Sequence, residues 1–344
     1  MGKLKKLTGY RLFLPLSCLI IVLLINLITT PTFFRITINN GVLYGYIIDV
    51  INRASELVVL AVGMTLVVSA SAGTDISVGA VMAVAAAVCT RVLAGGEVSV
   101  NEYANPYVLA VLAALAAAVV CGGFNGLLVA KLKIQPMVAT LILFTAGRGI
   151  SQLVTNGQIT YIRVDGYKLL GNNIPGIPIP TPIFVAVIVV ALTYILLKKT
   201  AMGMYIQSVG INERASRLVG LKSVKIIWMA YAFCGLCAGI AGLVASSRIY
   251  SADANNIGLN MELDAIAAVA LGGNSLGGGG FSLLGAVIGA YTILYAMSVP
   301  ADQIPVYKAI VVILIVAVQS EELKKFRKRL ASRHSSKNVE GGVA

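Results

Sequence analysis

The sequence is poor in charged residues. Of its 344 residues, 14 are Asp or Glu and 27 are Lys or Arg, which is 12% of the chain, whereas an ordinary soluble domain carries about a quarter. Apolar residues make up 58% of the chain, so most of them cannot be hidden in a water-soluble core. This composition excludes an ordinary soluble protein and an intrinsically disordered chain. A membrane protein is the class that remains.

Residue types that carry catalysis or bind metals are also scarce. His334 is the single histidine and lies in a basic tail, which argues against metal binding or base catalysis by histidine. The five cysteines fall within apolar runs, and the pair Cys234 and Cys237 lacks the second pair of a zinc site. We therefore expect no metal site and a transporter instead of an intramembrane enzyme. The phosphate-binding pattern G-x-x-x-x-G-K-S/T is absent too, so no cofactor is predicted for this chain and any ATP and Mg²⁺ must be bound by a partner.

Basic residues are concentrated in four short segments beside apolar runs. These segments are residues 1–11, 131–133, 198–225 and 321–344, and they hold 19 of the 27 Lys and Arg residues. The positive-inside rule places them, and with them both termini, in the cytoplasm. We treat residues 1–344 as a single transmembrane domain that contacts the lipid bilayer. Nucleic acid is not an expected partner, because no aromatic residues are interleaved with the basic stretches.

The apolar runs predict an all-α, polytopic membrane helix bundle of about ten crossings with discontinuous segments. A helix needs about 20 apolar residues to cross a bilayer. Seven runs are clear candidates, namely residues 12–30, 106–130, 136–154, 182–197, 226–246, 281–298 and 307–320. Two regions are broken: residues 57–71 and 78–93 flank a polar joint, and residues 262–271 form about half a span before a glycine run. The basic segments all reach the cytoplasm only if each of these broken elements crosses as well.

The first break, at residues 72–77, contains a carboxylate between two apolar runs. Irregular backbone at membrane depth must be covered by protein or line a wet cavity. Asp75 could cap the following helix in a cytoplasmic turn. Alternatively, Thr74, Asp75 and Ser77 could line a path and offer hydroxyls and a carboxylate to a polyhydroxylated solute. The spacing alone does not choose between the two.

The second break begins at Ser251 and is rich in amides and carboxylates. Asn255, Asn256 and Asp264 could bind the hydroxyl groups of a sugar, or they could belong to an ordinary polar outer loop. Arg148 is the only basic residue deep in a clear span. We expect it to pair with a carbonyl or a carboxylate inside the bundle, with snorkelling outward as the alternative.

Two further patterns concern helix packing. Asp49, Arg53 and Glu56, at i, i+4 and i+7, predict a solvated interfacial helix that leads into the second crossing. Two GxxxG motifs, at residues 122–126 and 235–239, predict close approach of helix backbones.

The basic segment 198–225 contains a predicted short surface helix. Asn212 would cap it, Ala215 and Arg217 would contribute a small apolar face and a charged edge, and Gly220 would end it. Such a helix suits docking into a groove of a partner protein. A helix lying on the lipid surface is the alternative.

Several motifs follow one another along most of the chain. They are GMTLV at 63–67, GTDISVGA at 73–80, LKIQPMVATL at 132–141, AGRG at 146–149, GIN at 210–212, SADANN at 251–256 and ELDAI at 262–266. Together they resemble the inner-membrane permeases of sugar ABC importers of the ribose, xylose and galactose type, and especially the galactofuranose-type permeases. This chain departs from that pattern with Ala72 and Thr74, where the family usually has Gly and Ile, and with Arg214 and Ser216 in a helix that is often richer in alanine.

The resemblance implies an ABC importer permease fold and translocation of a monosaccharide across the bacterial plasma membrane. It also implies a second permease copy or a homologous permease, cytoplasmic ATPase subunits and an extracytoplasmic sugar-binding protein as partners. The helix within residues 212–220 would be the coupling helix, and Asp75 with its neighbours would belong to the path. A stand-alone secondary transporter driven by an ion gradient is the alternative, with Asp75 and Asp264 as its only credible coupling carboxylates.

Overall fold

The computed structural model describes residues 12–29, 34–39 and 42–296, and most of these residues are helical. The α-helices within these ranges are α1 (Phe13–Thr29), α2 (Tyr46–Ser71), α3 (Val78–Ala94), α4 (Tyr107–Ala130), α5 (Pro136–Val154), α6 (Thr181–Lys199), α7 (Met202–Ile211), α8 (Glu213–Leu218), α9 (Ser223–Ile249), α10 (Met261–Leu271) and α11 (Leu283–Ala296). A 3₁₀ helix spans Tyr167–Leu170. The predicted segments 1–11 and 321–344 and the predicted crossing at 307–320 lie outside the described residues.

Short strands are confined to the connections between helices. β1 (Thr37–Asn39) and β2 (Val42–Tyr44) form an antiparallel hairpin. β3 (Ser99–Val100), β4 (Thr160–Ile162) and β5 (Ser251–Ala252) form a second sheet, with β4 in the centre, parallel to β3 and antiparallel to β5. These strands connect loops to one another and are not part of the helical bundle.

Five described helices are long and apolar enough to cross a membrane: α2, α4, α5, α6 and α9. The helices α1, α3 and α11 contain shorter apolar stretches, and α10 has only 11 residues. The predicted all-α, polytopic architecture is confirmed. The number of ten crossings stays a prediction, since one of the expected spans lies outside the described ranges.

The second crossing is longer than predicted. Helix α2 begins at Tyr46 and runs for 26 residues, so the predicted lead-in is the first part of the same helix. Asp49 and Arg53 are exposed as predicted, whereas Glu56 is not. Glu56 is largely buried against α9, where Arg248 Nη2 lies 3.1 Å from Glu56 Oε1. Among the described residues Asp49 and Arg53 form no ion pair. The helical spacing predicted that Glu56 lies on a solvated face. Packing against α9 buries most of its side chain instead.

The helices α2 and α9 lie at the centre of the bundle. Every residue from 57 to 70 of α2 is buried, as expected for a helix that is apolar all round. Helices α4 and α9 approach closely at Gly122 and Gly235: a Cβ added to either glycine would lie 2.9 Å from the Cα of the other. The close packing predicted from the GxxxG motifs is confirmed, because only glycine permits this backbone contact.

The loops separate into two sets at the two ends of the bundle. The strands β3, β4 and β5 lie in the α3–α4, α5–α6 and α9–α10 connections, which alternate with the basic segments along the chain, and they form a single sheet. At the opposite end, Lys133 in the turn between α4 and α5 forms an ion pair with Glu213 of α8. That pair joins two segments that the charge pattern assigns to the cytoplasm. The grouping of these loops agrees with the predicted alternation of crossings.

Candidate functional site

The polar joint between α2 and α3, residues 72–77, packs along α5 over a length of about half the thickness of a membrane. Gly73 contacts the side chain of Pro136 at the start of α5, and a Cβ on Gly147 would lie 3.0 Å from the Cβ of Ala80 in the first turn of α3. Eleven residues separate Pro136 from Gly147, which corresponds to about 16 Å of helix. The hydrocarbon core is about 30 Å thick. Helix α3 therefore begins near the middle of the bundle.

Asp75 is the centre of a buried hydrogen-bonded cluster in this joint. It is 2% exposed, and its Oδ1 accepts hydrogen bonds from the backbone N–H of Ser77 at 2.9 Å and from the Ser77 hydroxyl at 2.7 Å. Asn125 of α4 donates from Nδ2 to the same oxygen at 3.4 Å and to Ser77 Oγ at 2.8 Å. All three side chains are buried. The cluster ties the joint to α4 across 50 residues of sequence.

The capping alternative for Asp75 was wrong in its local geometry. Ser77 occupies the N-cap position of α3, and no side-chain hydrogen bond caps the helix. The carboxylate of Asp75 instead binds the N–H and the hydroxyl of the N-cap residue itself. Asp75 thus stabilises the irregular segment before α3. It does not accept hydrogen bonds from the free N–H groups in the first turn of α3.

Two buried oxygens beside Asp75 have no hydrogen-bond partner among the described residues. They are Thr74 Oγ1 and Asn125 Oδ1. An unpaired buried polar group costs about 1–3 kcal/mol, so each is a group that water or a polar solute would satisfy. Sequence reasoning missed Asn125, although it is the only amide in the otherwise apolar α4. A lone amide in a membrane span was the signal that could have found it.

The second break folds back against the outer half of α5. Arg148 donates from Nη1 to the carbonyl oxygens of Ala254 at 2.9 Å and Ile257 at 2.5 Å. One turn further along α5, Gln152 Nε2 donates to Asn255 Oδ1 at 2.7 Å. Arg148 and Gln152 together hold the loop that precedes α10.

Asp253 fixes the conformation of this loop. Its Oδ1 accepts from the N–H groups of Asn255 at 2.9 Å and Asn256 at 3.3 Å, and its Oδ2 accepts from Asn256 Nδ2 at 2.6 Å. Partial burial works to raise the pKa of Asp253, but these hydrogen bonds outweigh it and hold the pKa below its usual value. Asn255 and Asn256 are exposed, and contacts within the protein engage both amides.

The two breaks meet at Gly79 and Gly258. A Cβ on Gly258 would lie 2.5 Å from the Gly79 carbonyl oxygen, and a Cβ on Gly79 would overlap both the Gly258 carbonyl oxygen and Glu262 Oε2. Glu262 is 4% exposed, and its Oε2 has no hydrogen-bond partner within the described ranges. Asp264 is buried in the same first turn of α10. The helices α3 and α10 thus both begin inside the bundle, with carboxylates near their positive ends.

The six residues predicted to line a path therefore fall into two groups. Thr74, Asp75 and Ser77 share the joint before α3, whereas Asn255, Asn256 and Asp264 belong to the loop and first turn at the start of α10. Among the described residues, no hydrogen bond joins Thr74, Asp75 or Ser77 to Asn255 or Asn256. Backbone contact between the two breaks brings them into one region of the bundle.

The predicted surface helix is present at the opposite end of α5 from this loop. Asn212 Oδ1 accepts from the backbone N–H of Ala215 at 2.9 Å, which confirms the predicted N-cap of α8. Gly220 follows the helix with φ of +86°, in the left-handed region that favours glycine. The sequence alone was sufficient here, because both signals act within one helical turn.

Glu213, which the sequence did not single out, anchors α8. Arg217 Nη2 lies 2.5 Å from Glu213 Oε1, and Lys133 of the α4–α5 turn pairs with the same oxygen. Partial burial works to raise the pKa of Glu213, but the hydrogen bonds from Lys133 and Arg217 outweigh it and hold the pKa below its usual value. These ion pairs therefore persist at neutral pH and are lost only as acidification reaches that lowered pKa.

The end of α2 connects this surface to the polar joint. Gly210 of α7 lies so close to α2 that a Cβ would overlap the Ser69 carbonyl oxygen. The same oxygen accepts the N–H of Gly279 at 3.0 Å. Ser69 lies in the last turn of α2, directly before the joint that contains Asp75. A displacement of α7 and α8 would therefore act on the backbone that leads into the buried cluster.

A polytopic helical bundle in which two helices begin inside the bundle is typical of a membrane transport protein. The profile of the family described as "Branched-chain amino acid transport system / permease component" matches residues 46–319. The chain belongs to this permease family. It is a multi-pass transport protein and not an enzyme.

Curated relatives match over most of their length. The chain is 43% identical to the galactofuranose transporter permease protein of Escherichia coli over 324 residues, 92% of each chain. It is 36% identical to the fructose import permease protein of Bifidobacterium longum, over 99% of this chain and 96% of the relative. It is 35% identical to the ribose import permease protein of Escherichia coli, over 89% and 93%. No solved structure matches the chain.

Proposed function

We propose that this chain is the membrane-spanning subunit of an ABC importer and passes a monosaccharide into the cytoplasm across the bacterial plasma membrane. The observation that carries the proposal is the meeting of the two breaks inside the bundle, beside hydroxyl, amide and carboxylate oxygens that have no partner among the described residues. Such groups suit a neutral solute with many hydroxyls. The names of three relatives, at 35–43% identity, also favour a sugar over the amino acid in the family description.

The energy source in this proposal is a separate ATPase that holds ATP and Mg²⁺. The ATPase would dock on α8, at the end of the bundle where the basic residues place the cytoplasm. Leu218 and Val219 are 89% and 78% exposed there, beside the ion pairs of Glu213. Exposed apolar side chains within a charged surface are typical of a contact site. Arg217 supplies charge to the same surface.

A second permease copy or a homologous permease and an extracytoplasmic sugar-binding protein complete the proposed assembly. Movement of α8 would reach the path through α7 and the last turn of α2, where Gly210 meets Ser69. Because Glu213 and Lys133 form an ion pair, the α4–α5 turn would move together with α8.

The direct test uses the complex of permease, co-purified ATPase and binding protein, reconstituted into vesicles. We expect ATP-dependent accumulation of one sugar from a panel of galactofuranose, fructose and ribose, with leucine as the amino-acid control. Accumulation of leucine alone would contradict the proposed solute class. Uphill accumulation by the permease alone, driven by an ion gradient, would contradict the proposed energy source.

The docking surface is tested by Leu218→Ser. Because this side chain is almost fully exposed, we expect the bundle to remain folded while sugar-stimulated ATP hydrolysis falls about tenfold, as for loss of a central apolar contact. Met204→Ser is the matched control, since Met204 is an exposed apolar residue of the neighbouring α7. Equal hydrolysis in both variants would remove α8 as the contact.

A further inference from the structure

A groove between the end of α4 and the start of α9 combines basic and apolar side chains. Three lysines, Lys131, Lys222 and Lys225, line it together with apolar side chains, and its volume is about 460 Å³. Small-molecule sites commonly measure about 300–1,000 Å³. We propose that this groove binds one anionic phospholipid of the cytoplasmic leaflet.

The positive charge of the groove is not neutralised by the protein. The three lysines are exposed, and none forms an ion pair within the part of the chain that the structure describes. The neighbouring Lys133 differs, because Glu213 pairs with it. Helix α9 also begins at this groove without a side-chain cap, so the positive end of its dipole adds to the lysine charges. Together these groups suit a phosphodiester headgroup.

The floor of the groove suits an acyl chain. Leu127, Val224 and Trp228 line it and are partly exposed. The indole of Trp228 packs against α4, where a Cβ on Gly123 would lie 3.4 Å from the ring. Tryptophan is enriched at the membrane interface, where headgroups meet hydrocarbon. Cations at the rim and an apolar floor match an amphipathic lipid, whereas inorganic phosphate would use only the rim.

The arrangement of α9 supports a single binding position. Lys222, Lys225 and Trp228 recur every three residues, so they lie along one side of the helix start. Lys131 faces them from the C-cap of α4. Basic pockets between membrane helices on the cytoplasmic side are sites for anionic headgroups. The proposal takes from the proposed function only the orientation, in which this end of the bundle is cytoplasmic.

The test measures lipid binding to the purified permease in detergent by native mass spectrometry. The probes are phosphatidylglycerol and phosphatidylcholine. We expect one saturable phosphatidylglycerol site with much weaker phosphatidylcholine binding. The double variant Lys222→Ala/Lys225→Ala should bind phosphatidylglycerol about 25-fold more weakly, since each lysine near a membrane surface contributes about fivefold in affinity. The matched control Lys198→Ala/Lys199→Ala removes equal charge from the same end and should change affinity less than about twofold.

A second variant, Val224→Ser, keeps all three lysines and removes apolar floor, and it should also weaken phosphatidylglycerol binding. Thermal unfolding without added lipid checks that each variant is folded. Equal binding of both lipids, equal losses in both double variants, or displacement of the lipid by inorganic phosphate would overturn the proposal. The proposal would also be overturned if the groove bound no lipid and its lysines were instead needed for co-purification of an ATPase. The measurement uses neither sugar nor ATP, so it separates this proposal from failure of the proposed transport function.

Discussion

The hydrogen bonds of Asp75 give the sharpest quantitative prediction. Asp75→Ala would remove the acceptor of three hydrogen bonds and leave the Ser77 N–H, the Ser77 hydroxyl and the Asn125 amide inside the bundle. A buried group that loses its partner costs about 1–3 kcal/mol. Asn125 keeps its bond to Ser77 Oγ, so the three losses do not add fully. We expect the free energy of unfolding to fall by about 3–5 kcal/mol.

Two companion variants separate the acceptor from other effects of substitution. Asp75→Asn keeps an oxygen at the position of Oδ1, so it should restore most of the loss and remain within about 1–2 kcal/mol of the parent protein. Thr74→Val is the matched control, because the hydroxyl of Thr74 is buried and has no partner in the described part of the chain. Its removal should leave stability unchanged or raise it by about 1 kcal/mol.

The assay is reversible denaturation of the purified permease in detergent, with the sugar uptake of each folded variant measured in parallel. Parent-like stability of Asp75→Ala would show that the buried cluster does not hold the joint. Equal losses in Asp75→Asn and Asp75→Ala would show that the negative charge matters and the acceptor geometry does not. Impaired uptake in a stable Asp75→Asn variant would place the carboxylate in the path.

Three further substitutions test the contacts around the joint and α8. Gly79→Ala should destabilise the fold by about 1–3 kcal/mol, because the added Cβ overlaps the second break. Gly149→Ala is its control, because a Cβ there meets open space on α5. Equal destabilisation by both variants would contradict the contact between Gly79 and the second break. Ala72→Gly should stabilise the protein by about 0.5–1 kcal/mol in denaturation, since Ala72 has φ of +53°; a loss would show that this conformation is not strained. Glu213→Gln should change stability by less than about 1 kcal/mol, because the ion pairs of Glu213 are partly exposed. It should nevertheless lower sugar-stimulated ATP hydrolysis. Unchanged hydrolysis would show that these ion pairs play no part in coupling.

Composition and short-range pattern determined the general character of this protein. Low charge and long apolar runs require a lipid environment, because no soluble surface can be built from them. The alternation of basic segments predicted which loops meet at each end of the bundle. The cap formed by Asn212 and the close approach of helix backbones at the GxxxG motifs were predictable too. The cap depends on one helical turn, and the close approach depends on a residue type that alone permits backbone contact.

Only the tertiary structure decided which polar groups meet. Asp75 binds Asn125, Glu56 approaches Arg248, and Arg148 holds two carbonyls more than 100 residues away. The same packing pairs Lys133 with Glu213, whereas the lysines of the α4–α9 groove form no ion pair with any described residue. Periodicity describes the faces of one helix, but the partner of each face depends on how all helices pack. For that reason the two breaks could be located in the sequence, while their meeting inside the bundle could not.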